Sequence, residues 1–227
     1  MEQHSHNADT WLIIPLFNEA TVVRSVVEDA RQTFRNVVCV DDGSSDDSIN
    51  EALAGGAIVL KHPINLGQGA ALQTGIEFAR AQPGAEYFVT FDSDGQHQVD
   101  DALAMVERLR HERYDIIVGS RFLDDRTTAG WLKKMVLRLA VMFERLSTGV
   151  KLTDAHNGLR AFNQHAAHRL QIRQNRMAHA SEIVAQIGEH GLRYAEQPVH
   201  IVYTEYSRAK GQSLWNSVNI LSELFIK

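Results

Sequence analysis

Cysteine is all but absent: the single one, Cys39, lies inside the apolar run Val37-Val38-Cys39-Val40. A disulfide framework is thereby excluded, a reducing compartment is expected, and Cys39 reads as a small core residue, not a nucleophile. Long apolar runs are missing too. No stretch of about 18 uninterrupted apolar residues occurs, so no transmembrane helix is expected, and membrane contact must be peripheral or supplied by a partner. Nor is there an excess of positive charge. The 23 Lys and Arg stand against 28 Asp and Glu, a formal net charge of −5. That balance gives no bulk electrostatic case for nucleic acid, although local basic clusters can hold a phosphate. The first ten residues are polar, with two His and one Asn, and lack the basic-then-apolar order of a secretory signal, so none is expected.

What is present is an ordinary globular composition: 227 residues, 44% hydrophobic and 22% charged. That length buries a substantial single core. Residues 1–10 read as a flexible tail, 11–213 as one α/β domain, and 214–227 as a C-terminal amphipathic helix. Short apolar runs alternate with helical patterns through the first half. Strands are predicted at Trp11–Ile14, Val37–Val40, Ala57–Leu60, Tyr87–Phe91 and Asp115–Val118. Helices are predicted over Glu19–Phe34, from Ser45, over Gly69–Arg80 and over Val99–His111. The alternation argues for βαβ units, a mostly parallel central sheet flanked by helices, and a ligand edge at the strand C-terminal ends. The second half is less regular. Helices are predicted over Gly130–Thr148, Ser181–His190 and Leu214–Ile226, and a strand over Val199–Tyr203.

Four polar motifs fall at strand ends and look like one site: Asn18-Glu19, Asp41-Asp42-Gly43, Asp92-Ser93-Asp94 and Gly119-Ser120-Arg121. Two carboxylates two residues apart, as in Asp92-Ser93-Asp94-Gly95-Gln96-His97, repel unless a cation lies between them. Hard ions such as Mg²⁺ or Mn²⁺ suit carboxylate oxygens shared with substrate phosphates. The bland alternative is a solvated turn capping the next helix. Asp41 and Asp42 can accept bonds from a nucleobase or ribose, or else simply shape a strand–turn–helix connection. In Asn65-Leu66-Gly67-Gln68-Gly69, small residues at a helix start let backbone N–H groups approach a ligand, and an anion is favoured there. The spacing is neither a Walker A loop nor a dinucleotide fingerprint.

Taken in order, Ile14-Pro15-Leu16-Phe17-Asn18-Glu19, Asp41-Asp42-Gly43-Ser44, Asn65-x-Gly67-x-Gly69, Asp92-x-Asp94-Gly95-Gln96 and Gly119-Ser120-Arg121 resemble the family 2 glycosyltransferases. Asp154-Ala155-His156-Asn157-Gly158-Leu159-Arg160 and Arg208-Ala209-Lys210-Gly211-Gln212-Ser213 are similar to segments of its dolichol- or polyprenol-phosphate mannosyltransferase branch. The resemblance implies a GT-A fold, a nucleotide-sugar donor such as GDP-mannose or a UDP-hexose, and inversion at the anomeric carbon. Carried over by motif, Pro15, Asn18, Glu19, Asp41, Asp42, Asn65, Gly67, Gly69 and Asp92 would bind the donor. Asp92, Asp94 and Gln96 would hold Mg²⁺ or Mn²⁺. Arg121, Lys134, Arg208 and Lys210 would hold an acceptor phosphate. Gln68, Lys133-Lys134 and Leu137 depart from the branch at positions usually Lys, an Arg pair and Ser, which bears on the acceptor's identity.

The expected reaction is in-line attack on the anomeric carbon, with Asp94, Arg121 and Arg208 at the reacting centre. A phosphate acceptor needs no strong base; a saccharide hydroxyl would need one, and Asp154 and Glu182 are the candidates. The expected acceptor is a polyprenyl or dolichyl phosphate. The alternatives are a saccharide hydroxyl in glycan synthesis, or a non-catalytic nucleotide-sugar binding subunit. The apolar and basic pattern of 130–148 and the apolar face of 214–227 suit an interfacial position at the cytoplasmic face of a membrane. A small membrane subunit is the partner that the resemblance implies; the domain's own core or a second copy of the chain are the other surfaces such stripes cover.

Overall fold

The computed structural model describes residues 7–123, 149–176 and 178–202. Seven strands form one sheet: β1 (Thr10–Leu16), β2 (Asn36–Asp41), β3 (Ile58–Lys61), β4 (Tyr87–Thr90), β5 (Ile116–Ser120), β6 (Arg160–Asn163) and β7 (Tyr194–Pro198). Among the described residues six helices accompany them: α1 (Val23–Thr33), α2 (Ser48–Ala54), α3 (Gln68–Arg80), α4 (Val99–His111), α5 (Gln164–Arg169) and α6 (His179–Glu189). The strand order is β3-β2-β1-β4-β6-β5-β7. Every pairing is parallel except those of β6, which runs antiparallel to both β4 and β5. The mostly parallel α/β sheet expected from the sequence is therefore present.

Both faces of the sheet are covered, and this explains why the strands read as unbroken apolar runs. Every residue of β1 is buried. Leu12, Ile14 and Leu16 pack with Val23, Val26, Val27 and Ala30 of α1 and with Met105, Val106 and Leu109 of α4. Trp11 and Ile13 face the other way, onto Leu72 and Ile76 of α3 and Ile183, Val184 and Ile187 of α6. Each such aliphatic side chain contributes roughly 1.5–3 kcal/mol by leaving water. Local charge supports the helices as well. Asp100 and Asp101 occupy the first turn of α4 and Arg108, Arg110 and His111 its last, which complements the helix dipole. Among the described residues no helix is long and apolar enough to cross a membrane.

Three differences from the sequence reading matter. The strand expected over Val199–Tyr203 lies instead at Tyr194–Pro198; Tyr203 is outside the described residues. Its five residues are all half-buried, as suits an edge, so it carries polar Glu196 and Gln197 and lacks a strand-like apolar pattern. β6 and α5 were not anticipated at all. The helix read from Glu19 begins at Val23, because residues 20–22 form a turn whose Val22 and Val23 N–H groups both donate to the Glu19 carbonyl. The segments 124–148, with Lys133, Lys134 and Leu137, and 203–227, with Arg208, Lys210 and the amphipathic stretch 214–227, lie outside the described residues. At the other end, Asn7 is buried with its amide on the Thr33 carbonyl, and Thr10 already belongs to β1.

Candidate active site

The parallel strands deliver their C-terminal ends to one edge, and a cavity of about 350 Å³ opens there. Its lining comes from β1 and the turn after it (Pro15, Leu16, Phe17, Glu19), the ends of β2 (Asp42) and β4 (Asp92, Ser93, Asp94), and the loop into α3 (Asn65, Gly67, Gln68, Ala71). Eight of the residues proposed from sequence are thus brought together or border it directly: Pro15, Glu19, Asp42, Asn65, Gly67, Asp92 and Asp94 line the cavity, and Asn18 sits in the same turn.

The first two turns are stapled to each other. Asn18 has a left-handed φ of 54°, a conformation Asn tolerates better than most residues. Its N–H donates to Ser44 Oγ (2.9 Å) and its Oδ1 accepts from the Ser45 N–H (2.9 Å). The Glu19 N–H donates to Ser48 Oγ at 2.8 Å. Asp41 is fully buried and accepts the Ser44 N–H at 3.2 Å, so its carboxylate shapes the turn and does not line the cavity. Asp42 accepts from the Leu66 N–H (2.9 Å), the Gly67 N–H (2.7 Å) and His62 Nδ1 (2.8 Å). His62 Nε2 in turn meets Thr74 Oγ1 at 2.9 Å. Asp42 therefore fixes the 62–67 loop against β2.

Asp92 is held at both carboxylate oxygens. Gln68 Nε2 donates to Oδ1 (3.2 Å) and His97 Nε2 to Oδ2 (2.8 Å). A Cβ on Gly158 would stand 2.4 Å from Oδ2, so only glycine fits behind it. Burial opposes its ionisation, but His97, Arg160 and His179 outweigh that and hold the carboxyl below its ordinary value. Asp94 is driven the other way, upward, by burial and then by the charge of Asp92. Neighbouring carboxylates with opposed shifts suit a cation-binding role. Among the described residues no group of three or more His, Cys, Asp and Glu side chains could hold a metal by itself. The pair fits Mg²⁺ or Mn²⁺ on condition that water and donor phosphates supply most of the ligands, as these ions commonly arrange. Gln96 is buried and is not among the lining residues; its N–H donates to Asp94 Oδ1 at 3.1 Å.

The end of β5 carries a second cluster. Arg121 grips Asp154 through Nε (2.7 Å), Nη2 (2.8 Å) and its backbone N–H (3.1 Å). Although burial opposes it, Arg121 holds Asp154 below the ordinary carboxylate range. A general base operates best with a pKa near the working pH, so Asp154 is poorly suited to that task. Glu182 is no better placed. Its Oε2 accepts the N–H groups of Arg173 (2.9 Å) and Gln174 (2.8 Å), and it lines a separate cavity with Arg169 and Arg173. Gly69 is buried against the chain itself: its N–H donates to the Asn175 carbonyl (2.9 Å), and a Cβ on it would stand 2.0 Å from the Gln174 carbonyl oxygen. The start of α3 is thus a seat for the 172–176 segment. Nothing in the sequence assigns a role to His62, His97 or His179, whose partners become adjacent only on folding.

This geometry has known relatives. A chain of Methanocaldococcus jannaschii described as an uncharacterized protein is 33% identical over 224 residues, covering 96% of this chain and 92% of its own length. A UDP-N-acetylglucosamine–dolichyl-phosphate N-acetylglucosaminyltransferase of Methanococcus voltae is 32% identical over 238 residues, covering 95% and 94%. In fold, the chain is similar to the glucosyl-3-phosphoglycerate synthase of Mycobacterium tuberculosis solved with Mg²⁺ and uridine diphosphate, with a TM-score of 0.70 at 16% identity over 91% of this chain and 75% of the other. That likeness establishes a GT-A-like fold. The family model for glycosyl transferase family 2 matches residues 11–170, a span that holds every strand-end motif of the cavity, and the chain belongs to that family.

Proposed function

We propose that the chain is a metal-dependent, inverting hexosyltransferase that moves a hexose from a nucleotide-sugar to a polyprenyl or dolichyl phosphate. The observation that carries this reading is the cavity at the strand ends, in which Asp92 and Asp94 face a volume of about 350 Å³ beside Pro15, Phe17, Glu19 and Asn65. Asp94 and Asp92 would hold Mg²⁺ or Mn²⁺, which when bound supplies positive charge against the departing diphosphate. The solved Mycobacterium synthase, related in fold, carries that ion together with a nucleoside diphosphate.

The chain's own residues do the rest. His97 and Gln68 fix Asp92, so the carboxylate need not reorganise when the donor arrives. Exposed Phe17 at the mouth offers a face for a nucleobase. Arg121, held in one orientation by Asp154, is the described residue proposed to position an acceptor phosphate, with Lys134, Arg208 and Lys210 completing that group. The two candidate bases favour the phosphate over a sugar hydroxyl: Asp154 is locked in an ion pair and Glu182 is bound to backbone. A phosphate monoester loses its second proton near pH 6 and needs neither. The M. voltae relative, named for transfer to dolichyl phosphate at nearly equal length, supports the same acceptor class. Its sugar is N-acetylglucosamine, so the mannose of the resembled branch is not favoured over other hexoses. We infer a peripheral position at the cytoplasmic face of a membrane, on its surface or with a small membrane subunit.

Donor binding followed by calorimetry tests this reading. A UDP- or GDP-sugar should bind with Mg²⁺ or Mn²⁺ present, and Asp94→Ala should remove that binding while leaving the protein folded. Donor binding indifferent to both the ion and Asp94 would contradict it.

A further inference from the structure

Four carboxylates line the cavity, from Glu19, Asp42, Asp92 and Asp94, and among the described residues no Lys, Arg or His lines it. One divalent ion offsets only the Asp92–Asp94 pair, and a diphosphate brings further negative charge. A cation has to reach the rim from elsewhere.

The 172–176 segment is built to bring one. Each of its residues is pinned through its backbone. The Ile172 N–H donates to Gln73 Oε1 at 2.8 Å, and those of Arg173 and Gln174 donate to Glu182. The Asn175 carbonyl accepts the Gly69 N–H, and the Arg176 carbonyl accepts the His179 N–H (3.1 Å) and Nδ1–H (2.7 Å). Gly67 and Gly69 permit this close seating, because a Cβ on Gly67 would stand 2.1 Å from the Asn175 carbonyl oxygen. The same Cβ position lies 3.2 Å from Cγ of Arg176, and Gly67 itself lines the cavity. The Arg176 guanidinium extends from that Cγ on an exposed side chain. Arg121, paired with Asp154, is assigned above to the acceptor, and Arg173 bonds Gln171 Oε1. Among the described residues nothing pairs with the guanidinium of Arg176.

We propose that Arg176 is a donor-binding residue, whose guanidinium closes over the diphosphate of the nucleotide-sugar from the Gly67 side of the cavity. This rests on the reading of the cavity as a nucleotide-sugar site. Bidentate pairing with phosphate oxygens is the geometry a guanidinium matches best. It also gives the glycine loop and Glu182 a shared purpose: both hold the segment that carries Arg176, and neither needs to touch the donor.

The test compares wild type, Arg176→Ala and Arg176→Lys by calorimetry with Mn²⁺, using UDP and GDP as ligands and, by competition, uridine and guanosine. Arg176→Ala is expected to weaken diphosphate binding by about tenfold or more while leaving the nucleoside unchanged, with Arg176→Lys in between. Urea midpoints should be the same for all three, since the substituted side chain is exposed. Unaltered diphosphate affinity in Arg176→Ala, with wild type binding normally, overturns the proposal alone. Equal losses for diphosphate and nucleoside overturn it too, as a disturbance of the loop. Wild type that binds neither diphosphate overturns the underlying reading of the cavity.

Discussion

Replacing Asp42 by Ala separates holding a loop from holding a ligand. The carboxylate accepts three hydrogen bonds, from the Leu66 and Gly67 N–H groups and from His62, at 2.7–2.9 Å. A hydrogen bond to a charged group contributes about 1.5–3 kcal/mol, but the three share one carboxylate and do not add. Leu66 is exposed and Gly67 half-buried, so water can reach both freed N–H groups, whereas buried His62 keeps only Thr74. The net loss is then about 3 kcal/mol for Asp42→Ala and about half that for Asp42→Asn, which retains one acceptor oxygen. For a domain of this size, about 3 kcal/mol lowers Tm by roughly 6–12 °C. Urea and thermal unfolding without nucleotide measure this free of any ligand effect, and an unchanged m-value would show that the unfolded state is not involved. A variant within about 0.5 kcal/mol of wild type, like an ordinary surface change, would refute the reasoning and leave Asp42 a ligand group only.

Three further outcomes are expected. Gly158→Ala places a methyl 2.4 Å from Asp92 Oδ2, and displacing that carboxylate should cut turnover by about 100-fold while the melting curve moves far less. Asp94→Asn should abolish turnover yet raise Tm in EDTA at pH 7. Burial and Asp92 raise the Asp94 carboxyl in the folded state, so its charge destabilises above that raised pKa, and the gain should shrink as pH falls through it. Asp115 behaves oppositely: hydrogen bonding to Arg193 lowers its pKa to about 2. Its contribution is present above the unfolded value of about 3.9 and is lost as pH falls toward 2. With Arg193 largely exposed and its charge screened by solvent, Arg193→Ala should lower the urea midpoint modestly at pH 7 and leave it almost unchanged near pH 2.

Strands β1, β2, β4 and β5 were legible because both faces are buried, which forces continuous β-branched and aliphatic runs ending abruptly in polar turns. Those turns carried most of the cavity lining with them. β6 was not legible. It is four residues long, begins with Arg160 and ends with Asn163, and owes its place to β4 and β5 on either side. β7 was read five residues late because Val199 and Ile201 look more like a strand than Tyr194-Ala195-Glu196-Gln197-Pro198. Pairing with β5 along one edge decided the matter. Within the site, residue type marked Asp92 and Asp94 but could not distinguish Asp41, buried under Ser44, from Asp42 at the cavity wall. Nor could it show that Asp154 belongs to Arg121, or that Glu182 holds backbone. Those depend on which side chains the turns bring face to face.

Transfer of radiolabelled hexose from UDP- and GDP-sugars to polyprenyl phosphate in detergent, with Mn²⁺ or with EDTA, tests the central claim most directly. Label entering the lipid fraction with Mn²⁺ and absent from it with EDTA is the predicted result, and it names the donor. Label that reaches a saccharide acceptor but never the lipid would contradict the account.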